Sequence, residues 1–289
     1  MYKKIRKFNS DVHIFDTKTV DITMGKKGLE KLSEIYGTPA LNEVTDARIN
    51  MGFFNFDGST EHIGGYARQG VIYDPSWNYY EDVNCISGVC QIFEASKDTQ
   101  FKADWSFSVS WSLIKNGFED LTNANKIYHS RIPQPRTMAG QLKDLSYVFV
   151  VVDGRSSTNR GVTAKEQARI MLDLGCNVAW NHDGGGSSEM IVGNKIVNRL
   201  SDRRERSIGS AMVSYSIPVE YPNVSMTHRS NHVFVHLVQR LLVARGYDPK
   251  GIDGLYGFNT YTAIKQFQRE NGLKPDGWVG TLTWEILKM

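Results

Sequence analysis

Asn181-His-Asp-Gly-Gly-Gly-Ser-Ser188 lies between an apolar run, Asn177-Val-Ala-Trp180, and Glu189-Met-Ile-Val192. Three consecutive glycines bring no side chain to a core and cost backbone entropy. They suit a place where the chain turns sharply and its N–H groups face something close. Asp183 before them and Ser187 and Ser188 after them make that partner polar, oxygen-rich and anionic, because successive backbone N–H groups line a concave anion site. A flexible glycine hairpin is the competing reading. A second Asp-Gly pair at the end of another strand argues against it.

That second pair closes Ser146-Tyr-Val-Phe-Val-Val-Val152, a continuous apolar, β-branched run that reads as a buried strand and stops at Asp153-Gly-Arg155. Thr163 and Glu166 have the spacing of a capping box, Ala164, Ala168, Met171 and Leu172 share one helical face, and Gly175 occupies the C′ position. With strand 177–182 this predicts a β-α-β unit with a right-handed crossover. If the two strands are parallel, Asp153 and Asp183 emerge at the same sheet end, where open α/β sheets place ligands. No Gly-Lys-Ser/Thr and no helix follow the glycines, so nucleotide hydrolysis is disfavoured. Instead Glu189–Asn198 reads as a hairpin turning at Gly193-Asn194.

At 289 residues the chain is long enough for two domains. A net charge of +3 gives no argument for nucleic acid. Cys85, Cys90 and Cys176 are too few and too odd for a disulfide scaffold, and Cys85-x4-Cys90 reads as two incidental thiols rather than a pair or metal clip. The basic start Met1–Lys7 is not followed by a signal-peptide core, and no run reaches the roughly 20 apolar residues of a membrane span. The expectation is synthesis in a reducing cytoplasm and, if the protein works outside, exit by another route.

The first 48 residues are weakly patterned, with a strand at Asp16–Ile22 and a modest helical face at Leu29, Leu32 and Ile35. Residues 57–125 read as short strands, among them Trp105–Trp111 with period-two alternation. From Ile217 the texture becomes that of a linker. Beyond it Asp253-Gly-Leu-Tyr-Gly257 with Thr260 is echoed 23 residues later by Asp276-Gly-Trp-Val-Gly280 with Thr283, each a tight loop before an amphipathic helix. Val233–Arg245 adds a third helix. His232 and His236 have zinc-like spacing but no Glu between them, and packing is the preferred reading.

Val238-Gln-Arg-Leu-Leu242, Gly246-Tyr247, Asp253-Gly254, Phe267-Gln268, Gly272-Leu273 and Asp276-Gly277 resemble the three-helix peptidoglycan-binding module of wall hydrolases. Residues from about 45 to 217 resemble the phosphodiester glycosidase family. The features that carry this occur in family order: Ile49-Asn50 with Gly52-Phe-Phe-Asn55, Pro135-Arg136-Thr137, Val151-Val-Asp-Gly-Arg155, Gly161-x-Thr163-x-x-Glu166, Asp183–Ser188, Asn198 and Glu205-Arg206. His182 departs from the family, in which Leu is usual; it is an extra acid/base or, preferably, an anchored ring.

The implied architecture is α+β: a mixed-sheet catalytic domain over 1–217, a linker over 218–230, and a helical wall-binding domain over 231–289. The implied reaction hydrolyses a sugar-1-phosphate diester to free sugar and a phosphomonoester. A phosphate leaving group needs little acid assistance, so charge on its oxygens is the main demand. Arg136 and Arg206 offer bidentate forks to phosphate. The N–H groups of Gly184, Gly185 and Gly186 and the Ser187 hydroxyl, with Ser188, offer a cradle. Asp183 or Asp153 would activate water or stabilise an oxocarbenium-like centre. Asn50, Asn55, Asn198 and Thr163 are expected to read sugar hydroxyls or hold loops, and Glu205 to orient Arg206. A calcium or magnesium ion between Asp183 and phosphate fits the ligand chemistry without being fixed by it.

The expected partners are peptidoglycan and a wall glycopolymer, teichoic acid foremost, reached after phage-mediated release. A peptidoglycan-cleaving endolysin and a non-catalytic wall-binding protein are the alternatives.

Overall fold

In the computed structural model, residues 1–18, 20–24, 30–35, 45–51, 53–54, 62–63, 65–68, 71–74, 81–86, 88–95, 103, 105–215, 223–226 and 232–288 are described. Asn55, and most of the stretch expected to be a linker, lie outside them.

Among the described residues, three larger sheets, two two-stranded ones and one α-helix build the larger part. A seven-stranded sheet runs in the order Tyr2–Lys7, Ser10–Thr17, Tyr147–Val152, Arg136–Leu142, Cys176–Asn181, Ser112–Lys115, Phe118–Glu119. Tyr147–Val152 and Cys176–Asn181 each pair antiparallel with Arg136–Leu142, so they are parallel to one another with that strand between them. The β-α-β unit is therefore present but split, and both of its strands end on the same side. Helix Ala164–Asp173 starts where expected: Thr163 Oγ1 accepts from Glu166 N, and Glu166 Oε2 accepts from Thr163 N. Its apolar face buries Ala164, Ala168 and Met171 with Val148, Val150 and Val152.

The other face of this sheet packs Phe149, Val151 and Trp180 against Phe107 and Trp105 of a five-stranded sheet and Ile49, Met190 and Met212 of a second one. This second five-stranded sheet, Lys195–Ile196, Met190–Val192, Thr45–Asn50, Ser210–Tyr215, Val20–Met24, carries the chain that leaves the glycine loop. The class is α+β.

Two expectations at the N-terminus change. The strand anticipated at Asp16–Ile22 is broken: Ser10–Thr17 belongs to the first sheet and Val20–Met24 to another. Leu32–Glu34 forms a single 3-10 turn after the short strand Glu30–Lys31, because Leu32 and Ile35 are buried against Ile208, Ala211 and Val213 rather than along a helix face.

Helices His232–Ala244, Phe258–Glu270 and Thr281–Lys288 enclose Leu237, Leu242, Ile264, Phe267, Trp284 and Leu287. The sequence repeat is a repeated hydrogen-bond device. Gln239 Nε2 donates to Asp253 Oδ1 and Thr260 Oγ1, and Gly254 N donates to Gln239 Oε1. Gln268 makes the same bonds to Asp276, Thr283 and Gly277. Each glutamine thus fixes one Asp-Gly loop from inside the core. Asn223–Met226 is not free linker: Val224 is buried in this core and pairs with Val279, which an apolar residue among polar ones permits. Among the described residues, no helix is long and apolar enough to cross a membrane.

Candidate active site

Two Asp-Gly corners meet one proline. Arg136 lies opposite Val152 and Met138 opposite Asn181, so strand Arg136–Leu142 begins where its two neighbours end. A Cβ on Gly154 would stand 2.6 Å from Pro135 N, and one on Gly184 would stand 3.0 Å from Pro135 O. The N–H of Gly185 donates to that same carbonyl at 2.9 Å. The corners Asp153-Gly154 and Asp183-Gly184 are thereby drawn onto Pro135-Arg136. Close approach explains Gly154, and a left-handed φ of +62° explains Gly185.

Three guanidinium groups surround the loop. Arg136 is 5% exposed; its Nε donates to Val162 O, and its Nη2 donates to the carbonyls of His129 and Ile132. Its Cζ lies 5.3 Å from the Trp111 ring centroid. Nη1 makes no hydrogen bond among the described residues and lies 3.6 Å from the position of a Gly184 Cβ. Arg155, held at φ +57°, donates from Nε to Gln134 Oε1, and its Nη2 would lie 2.9 Å from a Gly185 Cβ. Arg206 Nη2 bonds the Asp202 carboxylate, and a Cβ on Gly186 would strike both partners.

Burial first, and the neighbouring Arg155 second, lower the pKa of Arg136 to about 10, with Asp183 opposing. Among the described residues, three cations face two carboxylates, Asp183 and Asp202, around one loop. That imbalance suits an incoming anion.

Asp183 is partly exposed yet enclosed by protein on most sides. Its N–H donates to Met51 O, its carbonyl accepts from Asn50 Nδ2, and its Oδ1 accepts from Gly184 N at 2.9 Å. Burial raises its pKa to about 6; Ser187, the Gly184 N–H, Arg206 and Arg136 pull the other way. Ser188 Oγ is buried with no hydrogen-bond partner among the described residues, while Ser187 Oγ lies against the Asp183 carboxylate and the Glu189 carboxyl against Glu205. A buried polar atom left unpaired costs about 1–3 kcal/mol, so Ser188 keeps polar capacity in reserve for a bound molecule.

The remaining expected residues separate into holders and strangers. Asn50 Oδ1 accepts from Thr137 Oγ1 and Glu189 N while its Nδ2 bonds Asp183 O. Asn198 Oδ1 accepts from Met190 N and its Nδ2 donates to Ser188 O. Both asparagines spend their amides bracketing the loop, the second of the two roles expected of them.

Thr163 uses its hydroxyl in its own capping box, donating to Glu166 Oε2 and accepting from Glu166 N. Asp153 is buried, accepts from Arg199 N at 2.9 Å and lies 3.4 Å from His13 Nε2. Its Oδ1 anchors the segment after Asn198. Glu205 does not orient Arg206: it accepts from Ser33 N and Oγ and faces the Glu189 carboxyl. His182 is an anchored ring. Its Nε2 accepts from Trp180 Nε1, it stacks on Phe107 at 5.4 Å, and burial lowers its pKa to about 3.

Two residues escaped the sequence reading. Arg155 was visible only as the third letter of a motif, although an arginine directly after an Asp-Gly strand end is a usable signal. Glu189, 2% exposed, carries no sequence signal beyond its place at the start of a hairpin. Burial and the adjacent Glu205 raise its pKa to about 8.

No group of three or more His, Cys, Asp or Glu side chains suited to a metal occurs among the described residues. Asp183 has guanidinium neighbours that repel a divalent cation and already supply the positive charge a phosphate requires, so a calcium or magnesium ion fits this corner poorly.

Residues 44–215, more than half of the chain, match the phosphodiester glycosidase family, and the chain belongs to it. Residues 231–287 match the putative peptidoglycan binding domain. The fold is similar to that of the zebrafish N-acetylglucosamine-1-phosphodiester alpha-N-acetylglucosaminidase catalytic domain auto-inhibited by its pro-peptide, with a TM-score of 0.62 at 16% identity over 75% of this chain and 82% of that one. A hypothetical protein from Synechocystis is similar with a TM-score of 0.53 at 12% identity, over 73% and 61% of the two chains. The SPbeta prophage-derived uncharacterized protein YomE of Bacillus subtilis (strain 168) is 39% identical over 111 residues, 38% of this chain and 17% of the relative. An uncharacterized protein of Kitasatospora aureofaciens is 54% identical over 36 residues, 12% of this chain and 30% of the relative. The chain thus spans under a third of the length of either curated relative.

Proposed function

We propose that this protein hydrolyses a sugar-1-phosphodiester of the N-acetylglucosamine-1-phosphate type within a bacterial wall glycopolymer, teichoic acid being the natural candidate. The helical module holds it on peptidoglycan. The observation that carries the reading is the convergence of Arg136, Arg155 and Arg206 on a glycine loop whose Asp183 has its pKa raised to about 6.

The phosphate lies against the three guanidinium groups, which stabilise charge as the C1–O bond lengthens. The N–H groups of Gly184 and Gly185, expected to form a cradle, are instead bonded to Asp183 Oδ1 and Pro135 O. Asp183, as carboxylate, takes the proton of the water that attacks the sugar carbon. The phosphomonoester departs without a strong acid. The prophage-derived relative supports release of the protein onto the wall during phage lysis.

The test is incubation of purified protein with an N-acetylglucosamine phosphodiester in oxygen-labelled water. Free sugar carrying the label at C1 supports the reading. Label in the phosphate makes the protein a phosphodiesterase, solubilised muropeptides make it an endolysin, and binding without turnover makes it a wall adhesin.

A further inference from the structure

We propose that Cys85 and Cys90 are a disulfide-forming pair, a covalent staple at the joint between the β-sheet part and the helical module.

The two residues are direct partners across the hairpin of strands Glu81–Ile86 and Val89–Glu94. Cys90 N–H points away from Cys85 and donates to Gln141 Oε1 at 2.9 Å, so this is the non-hydrogen-bonded kind of cross-strand pair. Such pairs bring Cα atoms to about 4.5 Å, inside the roughly 4.4–6.8 Å that a disulfide spans. Both side chains leave the same sheet face, and both sulfurs approach one oxygen, Tyr147 Oη, at 3.6 and 3.4 Å. Val89–Glu94 is an edge strand, and Cys90 is its only buried residue. An edge strand with one ladder partner and mostly exposed side chains opens locally by giving up that ladder and the two Gln141 bonds, which gives an oxidant access to the buried thiols.

The hairpin lies where the two parts of the molecule touch. Gln141 Nε2 donates to Gly88 O at 2.7 Å in the hairpin turn, and a Cβ on Gly88 would stand 2.6 Å from Ile252 Cδ1. Arg240, on helix His232–Ala244, stacks 4.8 Å from the Tyr147 ring centroid and donates to Leu145 O at 2.8 Å. A bond between the sulfurs fixes the surface on which Arg240 and Ile252 rest.

Chemically, one cysteine thiolate attacks a small-molecule disulfide such as oxidised glutathione and releases one glutathione thiol. The second cysteine thiolate then displaces the other. The two cysteines lose two electrons and two protons in all, and the oxidant becomes two thiols.

The test uses the full chain and no substrate, so it stands or fails separately from the glycosidase reading. After incubation with excess oxidised glutathione, titratable thiols in denaturant fall from three to one. Peptide mapping finds the link between Cys85 and Cys90, and Cys176 stays reduced. Cys85→Ala then leaves Cys90 as a free thiol or a glutathione adduct. In the wild type, three free thiols, stable glutathione adducts on Cys85 or Cys90, or a link that includes Cys176 would each overturn the proposal.

Discussion

Replacing Gly186 by Ala separates the stability of the glycine loop from its chemistry. The new Cβ would strike Asp202 Oδ2 and Arg206 Nη2 and stand 2.6 Å from Arg206 Cζ. No side chain fits at those distances, so the Arg206–Asp202 pair must move aside. Both of its side chains are 30% exposed, and an ion pair so placed contributes about 0–1 kcal/mol. The expected loss in Tm is therefore at most about 2–4 °C.

Catalysis bears a larger cost if Arg206 is a preorganised partner of the leaving phosphate: about 100-fold or more in kcat, roughly 2.7–4 kcal/mol. Steady-state rates on an N-acetylglucosamine phosphodiester, with a thermal melt of the same sample, measure both. Arg206→Ala should reproduce the rate loss, and the double variant should be no worse than either alone, since both changes remove one interaction. Gly186→Ala with near wild-type kcat, or a double variant whose losses multiply, would refute the placement of Arg206 against the substrate.

Four further outcomes follow from the same geometry. Asp183→Asn should abolish turnover while raising Tm at pH 7. The native pKa of about 6 exceeds the ordinary 3.8, so this carboxyl makes stability fall as pH rises between those values. The wild-type rate should climb with pH through about 6, as the carboxylate forms. Glu189→Gln should flatten the decline in urea midpoint that wild type shows between about pH 4.5 and 8, because a carboxyl beside Glu205 is raised to about 8 and gives up its proton at a cost to the fold. Thr163→Ala should cost about 0.5–2 kcal/mol by denaturant melt and leave kcat unchanged, since its hydroxyl serves the helix cap alone.

The helix 164–173, its cap and the two strand ends were legible because each is a local signal: a capping box, a β-branched run, a glycine after a carboxylate. Strand Arg136–Leu142, which splits the β-α-β unit, was not. It carries Arg136, Thr137 and Gln141 buried among small residues, and buried polar side chains give no apolar period to read. Their partners lie far away in sequence, Asn50 for Thr137 and Gly88 for Gln141. The same limit governs the site. The glycine triplet announces itself, but whether an asparagine meets a ligand or a backbone depends on contacts across more than a hundred residues, as between Asn50 and Asp183.

Asn50 has one more implication. Its side chain ties together Thr137, Asp183 and Glu189, which come from both of the sheets that pack against each other. The glycine loop therefore gains its shape only once those layers have docked, and a half-assembled molecule has no half-strength site. Recovery of turnover during refolding should lag behind the return of strand signal and coincide with the last burial of tryptophan, which makes activity a reporter of complete assembly.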